Sequence, residues 1–332
     1  MFILEGKVEI TRLENDKELF TYTFNSVNEI EITKSVDELG DTAIIKLPTR
    51  FTVRDNSRVV YTEEAINVGD KVVITLGYEG KYSGVEFTGY VKKISPKIPL
   101  EIHCEDAMYH LRRKNITNSW ENTTLKEIVQ EVVKDTPVQL SKLMDNQSMP
   151  LDKWIIKGAN GAQVLESIKK DLAQTIFIDD EGKLYCGLQQ LTNINQTVVY
   201  DLNYNLVENN LEFKSKEERK IKVKYTYIDK ENKRKSIEVG DADGEQRTYH
   251  TSVISDEKKL EEMAKAEIEK LKYDGFEGDV TSFLIPFATR GMKAKLLDSE
   301  HPNREGNYFI KKVVTTFGTS GARRKISIGN KL

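Results

Sequence analysis

The sequence predicts a mainly β protein in which two related β-modules flank a small α+β domain. Three observations support this prediction. Short runs of alternating apolar and polar residues fill both ends of the chain, helical spacing of apolar residues is confined to the middle and one later segment, and one strand pattern occurs twice. Since single cores stop growing beyond roughly 250 residues, we expect three domains in a chain of 332 residues, at 1–113, 114–205 and 206–332.

The first region, residues 1–113, has the period of β-strands. Apolar residues alternate with polar ones at 28–32, 42–47 and 71–76, and turn signals such as Gly69-Asp70 and Ser95-Pro96 separate the runs. This spacing is typical of a sandwich or barrel rather than of βαβ units. We therefore expect a small, all-β barrel of the tube type.

The middle region, residues 114–205, changes to helical spacing. Thr124 with Glu127, and Asn160 with Gln163, are capping-box patterns that each precede an apolar face. A strand at 175–178, a turn at 179–182 and a strand at 183–186 then predict a hairpin. This domain is predicted to be α+β.

The last region, residues 206–332, returns to alternation, most clearly at 220–227. A charged loop is predicted at about 229–246, and a helix at about 256–272 with Ser255 as its N-cap. Strands then continue to the end of the chain. We expect a second small barrel with this helix inserted.

The two β-modules contain a repeat of strand, loop and strand. Residues 69–74 and 89–94 correspond to 291–296 and 307–313, with Tyr90 aligned to Phe309, and each copy leads into a final alternating strand at 100–104 or 324–328. The alternative explanation of this similarity is that any two β-hairpins with lysines on their solvent-exposed face have similar sequences. The matching order of all three strands favours duplication.

The order of these segments resembles the phage baseplate hub family, also called late-control protein D or tail hub proteins, of contractile tails and related injection machines. The resemblance spans nearly the whole chain: it begins with 68–72, 87–91 and 100–106, continues with the helix and hairpin at 161–184, and ends with 264–267 and 308–313. No single segment is specific. The chain departs from the family at 286–290, where the predicted strand before Gly291 lacks the usual Pro-Gly start. We also expect no spike or lysozyme-like extension after Leu332, which would be a second departure.

The resemblance implies a short, separate hub subunit with a structural role and no enzymatic activity. Two tandem barrels in each of three chains would form a pseudo-sixfold ring that joins a sixfold tail tube to a threefold spike. The implied partners are two further copies in a homotrimer, the tail tube protein, the spike protein and the tape-measure protein, with transient passage of DNA. The implied location is the virion tail or baseplate of a phage or prophage, after synthesis in the bacterial host cytoplasm.

Composition and charge agree with a structural role. With 50 Lys and Arg against 53 Asp and Glu, the net charge of −3 gives no general attraction to nucleic acid or anionic lipid. We expect no membrane insertion, since no apolar run approaches 18 residues, and no secretion, since Met1–Gly6 lacks a basic region. Cys104 and Cys186 are predicted to be free, buried thiols.

Candidate catalytic and metal sites are weak, and no catalytic residue, metal or cofactor is predicted. His103 could ligate a metal with Cys104 and Asp106, but adjacent strand residues point to opposite faces. Residues 241–244 resemble the start of a calcium loop without its later Glu, and 179–182 form a carboxylate cluster that turn chemistry explains. Motifs of hydrolases, kinases and zinc proteases are absent from the sequence.

One candidate partner-contact or lumen face comes from the alternation itself. Lys220, Lys222 and Lys224 share one strand face, which is either solvated or complementary to a partner such as an acidic tube ring or passing DNA. Two alternative functions stay open: a tail-tip protein of a non-contractile siphophage built from the same module, and a tail-associated cell-wall hydrolase, which would need an acid pair in a cleft.

Overall fold

A computed structural model describes residues 3–14, 17–53, 58–144, 150–172, 174–187, 195–228, 234–251 and 257–332. The first β-module contains nine strands and two short helices: β1 (Leu4–Glu14), β2 (Lys17–Phe24), β3 (Glu29–Ser35), β4 (Thr42–Leu47), β5 (Arg50–Thr52), β6 (Val59–Tyr61), α1 (Thr62–Ala65), β7 (Lys71–Tyr78), β8 (Tyr82–Ser95), β9 (Leu100–Glu105) and α2 (Met108–Leu111).

The middle part contains β10 (Asn115–Thr124), α3 (Leu125–Val133), a 3-10 turn (Lys142–Met144), β11 (Pro150–Asn160), α4 (Gly161–Leu172), β12 (Thr175–Ile178) and β13 (Leu184–Gly187). Both predicted capping patterns are formed. The Thr124 hydroxyl accepts the Glu127 N–H, and the Asn160 side chain accepts the Gln163 N–H at 2.9 Å. The predicted hairpin is also present as β12 and β13. This part of the chain thus contains both helices and strands.

The last part contains β14 (Thr197–Asp201), β15 (Glu208–Lys214), β16 (Ile221–Ile228), β17 (Arg234–Gly240), β18 (Glu245–Thr251), α5 (Glu257–Leu271), β19 (Gly275–Ser282), β20 (Lys293–Leu297), a 3-10 turn (Pro302–Arg304), β21 (Gly306–Gly318) and β22 (Gly321–Lys331). The predicted helix is confirmed as α5, whereas its predicted cap Ser255 lies outside the described residues.

Thirteen strands from both β-modules form one continuous sheet. Its order is β15-β19-β22-β21-β3-β4-β9-β8-β7-β1-β2, with β20 beside β21 and β14 parallel to β20. The mainly β prediction is confirmed. The pairings among the described strands do not close either module into a barrel, because β3 pairs with β4 of its own module on one side and with β21 of the other module on its other side. Alternation specifies which face of a strand is buried but not which strand lies beside it.

The predicted second module contains more than an inserted helix. Strands β16, β17 and β18 form a separate three-stranded sheet, and α5 packs on it over a core that includes Val223, Tyr227, Leu260 and Ala264. The predicted loop at 229–246 was therefore wrong at 234–240, where β17 lies, and at 245–246, where β18 begins. Charged residues obscure the alternation there, but Ile237 and Val239 pack against this core from the sheet face next to α5.

The repeat has the same backbone geometry in both copies. Lys71 lies opposite Tyr90, and Lys293 lies opposite Phe309. The Gly69 N–H donates to the Val91 carbonyl at 2.8 Å, and the Gly291 N–H donates to the Ile310 carbonyl at 2.8 Å. A register shift follows in each long strand, between positions 91 and 93 and between 310 and 312. Equivalent bulges at equivalent positions support the duplication. None of the helices in the described ranges is long and apolar enough to cross a membrane.

Candidate functional site

The joint between the two β-modules is made first by backbone pairing. Residues Lys312–Gly318 of β21 run antiparallel to Glu29–Ser35 of β3, with Thr315 opposite Ile32. Because β21 also pairs with β20 and β22, the two modules share a hydrogen-bonded sheet. Their relative position is therefore set by the ladder and by side chains on both sides of it.

Apolar side chains of the second module complete the core of the first. Leu284, Phe317 and Ala322 pack in the cluster that contains Ile30 and Tyr78. The Tyr78 hydroxyl accepts the Leu284 N–H at 3.2 Å and lies 3.4 Å from the Ala322 carbonyl oxygen, to which it donates. The first module would therefore expose apolar surface if the second were removed.

Gly6 allows the ring of Phe317 to approach the backbone of β1. A Cβ atom at Gly6 would lie 2.7 Å from two ring carbons of Phe317. We expect Gly6→Ala to lower the free energy of unfolding by about 1–3 kcal/mol through overpacking, measured by urea denaturation. Adding Phe317→Leu should restore part of the loss. The neighbouring exposed control Glu5→Ala should change stability by less than about 0.5 kcal/mol; equal effects of both alanine substitutions would contradict the prediction.

A buried ion pair crosses the joint. The guanidinium of Arg324 on β22 donates to both carboxylate oxygens of Glu86 on β8, at 3.0 and 2.8 Å. Arg324 is 1% exposed and Glu86 2% exposed. Arg324 also donates to the carbonyl oxygens of Leu284 and Ala288, at 3.2 and 3.1 Å. The two charges therefore compensate each other inside the protein, where water does not reach them.

A second buried arginine connects all three parts of the chain. Arg290, 1% exposed, contacts Asp41 of the first module at 2.9 Å and Asp180 of the middle domain at 3.1 Å. It also donates to the Ile178 carbonyl and lies 4.9 Å from the ring centroid of Phe177. Lys34 of β3 contacts Asp180 at 2.7 Å. We call Lys34, Asp41, Asp106, Asp180 and Arg290 the junction cluster.

The carboxylates of the junction cluster differ in environment. Burial raises the pKa of Asp41 to about 6, although Arg290 and Lys34 oppose the shift. Burial, with the nearby charge of Asp41, raises the pKa of Asp106 well above its ordinary value. Asp106 accepts the N–H groups of Asp41 at 2.6 Å and Met108 at 2.9 Å. Although burial raises the pKa of Asp180, Lys34 and Arg290 lower it to a net value well below 3.8.

The raised pKa of Asp41 predicts a pH dependence of stability. Between pH 3.8 and about 6 the folded protein binds more protons at Asp41 than the unfolded chain does, so stability falls as pH rises through this window. We expect Asp41→Asn to flatten this part of the curve of unfolding free energy against pH. Asp243→Asn, which removes an exposed carboxyl of lowered pKa, should leave the window unchanged. If the curves of wild type and Asp41→Asn were parallel, protonation of Asp41 would not be the cause of this pH dependence.

Four members of the junction cluster, Lys34, Asp41, Asp106 and Asp180, border a cavity of about 770 Å³ between the three parts of the chain. Its wall also contains Tyr90, His110, Lys142 and Lys183. Basic and acidic groups alternate around it, and the carboxylate oxygens of Asp41 and Asp106 are bound to Arg290 and to backbone N–H groups. Among the described residues no group of three or more His, Cys, Asp or Glu side chains is arranged to hold a metal ion.

The lysines predicted from alternation lie away from this junction. Lys222 and Lys224 on β16 both contact Glu238 of β17, at 3.7 and 2.8 Å, and Lys220 pairs with Asp243. The three lysines thus lie on one side of the small sheet and share it with acidic residues. Their positive charge is partly compensated within the chain.

The other candidates take structural roles. His103 lies 3.6 Å from Glu101, Cys104 and Cys186 are buried free thiols, and burial raises the pKa of Cys186 to about 12. Asp241 accepts the Ile221 N–H and pairs with Lys272. Asp179 accepts N–H groups of its own turn, as expected.

Sequence reasoning missed Asp180 and Arg290. The turn chemistry that explains Asp179 does not extend to Asp180, whose carboxylate binds Arg290 and Lys34. The segment 286–290 was predicted to be a strand, but it is irregular, and this carries Arg290 into the junction. The only signal was the departure of this segment from the family pattern. This departure locates the unusual segment but does not indicate which residues Arg290 contacts.

The fold is similar to that of solved structures described as tail proteins, so the resemblance inferred from the sequence is confirmed at the level of the fold. The 43 kDa tail protein of prophage MuSo2 from Shewanella oneidensis is 15% identical, over 99% of this chain and 98% of that chain, with a TM-score of 0.65. A tail protein from Neisseria meningitidis MC58 is 13% identical, over 99% and 96%, with a TM-score of 0.62.

A third similar structure comes from a different machine. It is an E. coli protein described as a component of the type VI secretion system with structural similarity to T4 bacteriophage tail proteins. It is 12% identical, over 92% of this chain and 73% of that chain, with a TM-score of 0.56. No protein-family model matches the sequence, and no curated protein matches it.

Proposed function

We propose that this chain is a structural hub subunit of a phage or prophage tail, and that three copies form a pseudo-sixfold ring between the tail tube and a central spike. The observation that carries the proposal is the pair of duplicated β-modules joined in one sheet. Two similar modules in each chain let three chains present six similar surfaces to a sixfold partner. In the ring the modules act as tube-type barrel domains.

The length over which the similar tail proteins match this chain supports the proposal. The match with this chain extends over at least 96% of the length of two of them, so the similarity includes the whole architecture and not one module alone. The buried ion pairs at the joint also suit a rigid adaptor, because they fix the modules relative to each other. The partners proposed are the tube protein, the spike protein and the tape-measure protein, in the virion tail, with DNA passing through the ring and no catalysis by the chain.

Solution mass tests this proposal most directly. Light scattering of the purified chain, alone and with a tail tube protein from the same phage or prophage, should show a species of three times the chain mass of 38.0 kDa. Negative-stain images of that species should show a ring with six similar lobes. A strict monomer at high concentration, both alone and with the tube protein, would contradict the proposal.

The lysine face provides a test of partner contact. If Lys220, Lys222 and Lys224 contact an acidic tube ring, replacing all three with Glu should weaken docking to the tube by at least about tenfold. Because each lysine is an exposed or half-buried surface residue, the thermal midpoint should change little. Lys265→Glu, on the exposed side of α5, is the matched control for reversed charge. Undiminished docking of the triple variant would remove this face from the contact.

One observation favours a second candidate, a tail-associated cell-wall hydrolase. The buried carboxyls Asp41 and Asp106 border a cavity, and a carboxyl of raised pKa is what a general acid requires. Their oxygens are already bound to Arg290 and to backbone N–H groups, which favours a structural role. Release of soluble fragments from peptidoglycan by the wild type, abolished in Asp106→Asn, would support the hydrolase and count against the hub.

A further inference from the structure

We propose that strands β16–β18 and helix α5 form an arm that swings as one body about its two connections to the second module, and that Arg219 is the latch that holds it in place. These four elements are called the arm. The inference goes beyond the proposed function and does not depend on it. Because Lys222 and Lys224 lie on β16, the angle of the arm determines where the lysine face is presented to a partner.

The arm has a core of its own. Val223, Tyr227, Leu260 and Ala264 belong to an apolar cluster whose described members all come from the arm. The apolar clusters of the second module and of the middle domain contain no described residue of the arm. A unit with a separate core keeps its fold when it moves as a whole.

The two connections of the arm lie side by side. The chain leaves the large sheet after β15 and returns to it at β19, where Lys214 lies opposite Gly275. Residues 215–220 and 272–274, which link these strands to the arm, belong to no helix or strand. Two adjacent irregular segments can absorb the change in backbone angles that a hinge requires.

A cleft separates the arm from the second module. A cavity of about 350 Å³ lies between Ile221 and Leu271 of the arm and Gly278 and Ile328 of the large sheet. Most of the other side chains around it are charged or polar; they include Glu212, Arg219, Glu245, Arg247, Glu277 and Lys311. No large apolar interface therefore fixes the arm to the described part of the module. Relative motion is the expected behaviour of two units joined in this way.

The arm also lies beside the middle domain, where β18 approaches α4. Between the described side chains of these two elements there is no hydrogen bond or ion pair. The apolar clusters on the two sides share no residue. This contact can therefore separate without exposing a common core.

Arg219 joins the first connection to the second. Its guanidinium donates to the carbonyl oxygens of Tyr273 at 2.7 Å and Gly275 at 2.9 Å, and to the carboxylate of Glu277 at 3.0 Å. It also lies 4.2 Å from the ring centroid of Tyr273, and its side chain is only 9% exposed. Hydrogen bonds from a charged donor are stronger than those between neutral groups. Arg219 thus holds both connections against β19.

The other hydrogen bonds at the hinge restrain the arm less. The Lys216 N–H donates to the Asp274 carboxylate at 2.7 Å, which joins the two connections to each other. Lys331 of β22 donates to the Asp274 carbonyl oxygen at 2.9 Å, at an exposed position where water competes for the same groups. Arg219 is therefore the main restraint on the angle of the arm.

Spin-label distances test the swing. Labels at Glu261→Cys on α5 and Lys325→Cys on β22 measure the arm against the large sheet, since both positions are exposed and the chain's own cysteines are buried. At about 1.5 Å per residue, Glu261 lies about 17 Å along α5 from the second connection, so a rotation of about 15° moves its label by up to about 4 Å. In Arg219→Met the distance distribution should shift or widen by about this amount.

Two further label pairs show whether each body stays intact. Glu261→Cys with Thr248→Cys lies within the arm, and Glu29→Cys with Lys325→Cys lies within the large sheet. Both distances should be the same in Arg219→Met as in the wild type. A swing changes only the distance between the two bodies.

Arg247→Met is the matched control for loss of an arginine. Arg247 borders the same cleft, but its partner Glu245 lies on the same strand of the arm. Removing it breaks no contact across the hinge. The distance between arm and large sheet should therefore remain that of the wild type.

A milder variant keeps the test decisive if Arg219→Met unfolds the arm. Glu277→Gln retains Arg219 and its two carbonyl partners but removes the charge of the carboxylate, so it should widen the arm-to-sheet distribution by a smaller amount. If the distance within the arm changes in Arg219→Met, the decision rests on Glu277→Gln.

Two results would overturn the proposal. Equal arm-to-sheet distances in the wild type, Arg219→Met and Glu277→Gln would mean that the arm is fixed. A change of the distance within the arm in both variants would mean that the arm unfolds rather than swings. A changed arm-to-sheet distance with both internal distances retained supports the proposal.

Discussion

Arg324→Met is expected to lower the free energy of unfolding by about 3–5 kcal/mol, because it leaves the carboxylate of Glu86 buried and without its charge partner. The loss is large because both side chains are almost fully enclosed where the two β-modules meet. Urea denaturation, followed by the fluorescence of Trp120 and Trp154 and by circular dichroism, measures the effect.

Two controls isolate the buried pair. Lys325→Met removes a cation from the next residue of the same strand, but its contact with Asp279 is partly exposed, so the cost should stay below about 1 kcal/mol. The double variant Glu86→Leu, Arg324→Met removes both charges and should be more stable than Arg324→Met alone, since no buried charge is left unpaired. If the double variant were as unstable as the sum of its single variants, the pairing argument would fail.

Arg290→Met is expected to destabilise the junction by a similar amount, about 3–5 kcal/mol, because it removes the cation shared by Asp41 and Asp180. It also removes two of the contacts between the β12–β13 hairpin and the β-modules, namely the hydrogen bond to Ile178 and the ring contact with Phe177. Hydrogen exchange should therefore accelerate at β12 and β13 more than at the centre of the large sheet.

The pH dependence of stability distinguishes the loss of the Arg290 charge from the loss of its side-chain volume. Without Arg290, the pKa of Asp41 should rise further, so the variant should lose more stability than the wild type as pH increases above about 6. Lys183→Met, which removes the half-buried partner of the exposed Glu181 on the same hairpin, should change neither stability nor its pH dependence appreciably. A uniform loss at every pH would indicate that Arg290 acts through packing alone.

Local features of the sequence were sufficient for the helices, the hairpin and the repeat. Thr124 with Glu127 and Asn160 with Gln163 specify helix starts through contacts three residues apart, so no distant partner is needed. The aligned runs around Tyr90 and Phe309 carry the same bulged strand pair because they repeat the same side-chain alternation.

Distant partners were not predictable in the same way. Arg324 shares its strand face with the buried residues Ala322 and Ile326, so alternation indicates the buried face but not the partner. Glu86 meets Arg324 only because β8 and β22 approach each other at the joint. Asp180 appeared to be a turn residue like Asp179, and Arg290 belonged to a segment predicted to be a strand. Lys222 and Lys224 were correctly placed on one strand face, but their shared partner Glu238 came from a segment predicted to be a loop.

Local patterns predict a mainly β chain with duplicated modules around an α+β domain, because periodicity, caps and turns act over a few residues. Long-range contacts add that the modules share one sheet through β3 and β21, that β16–β18 form a separate sheet, and that Arg290 and Arg324 lie buried at the joint. Strand alternation specifies a face but not a neighbour, and a charged residue becomes a core residue only when a distant opposite charge meets it.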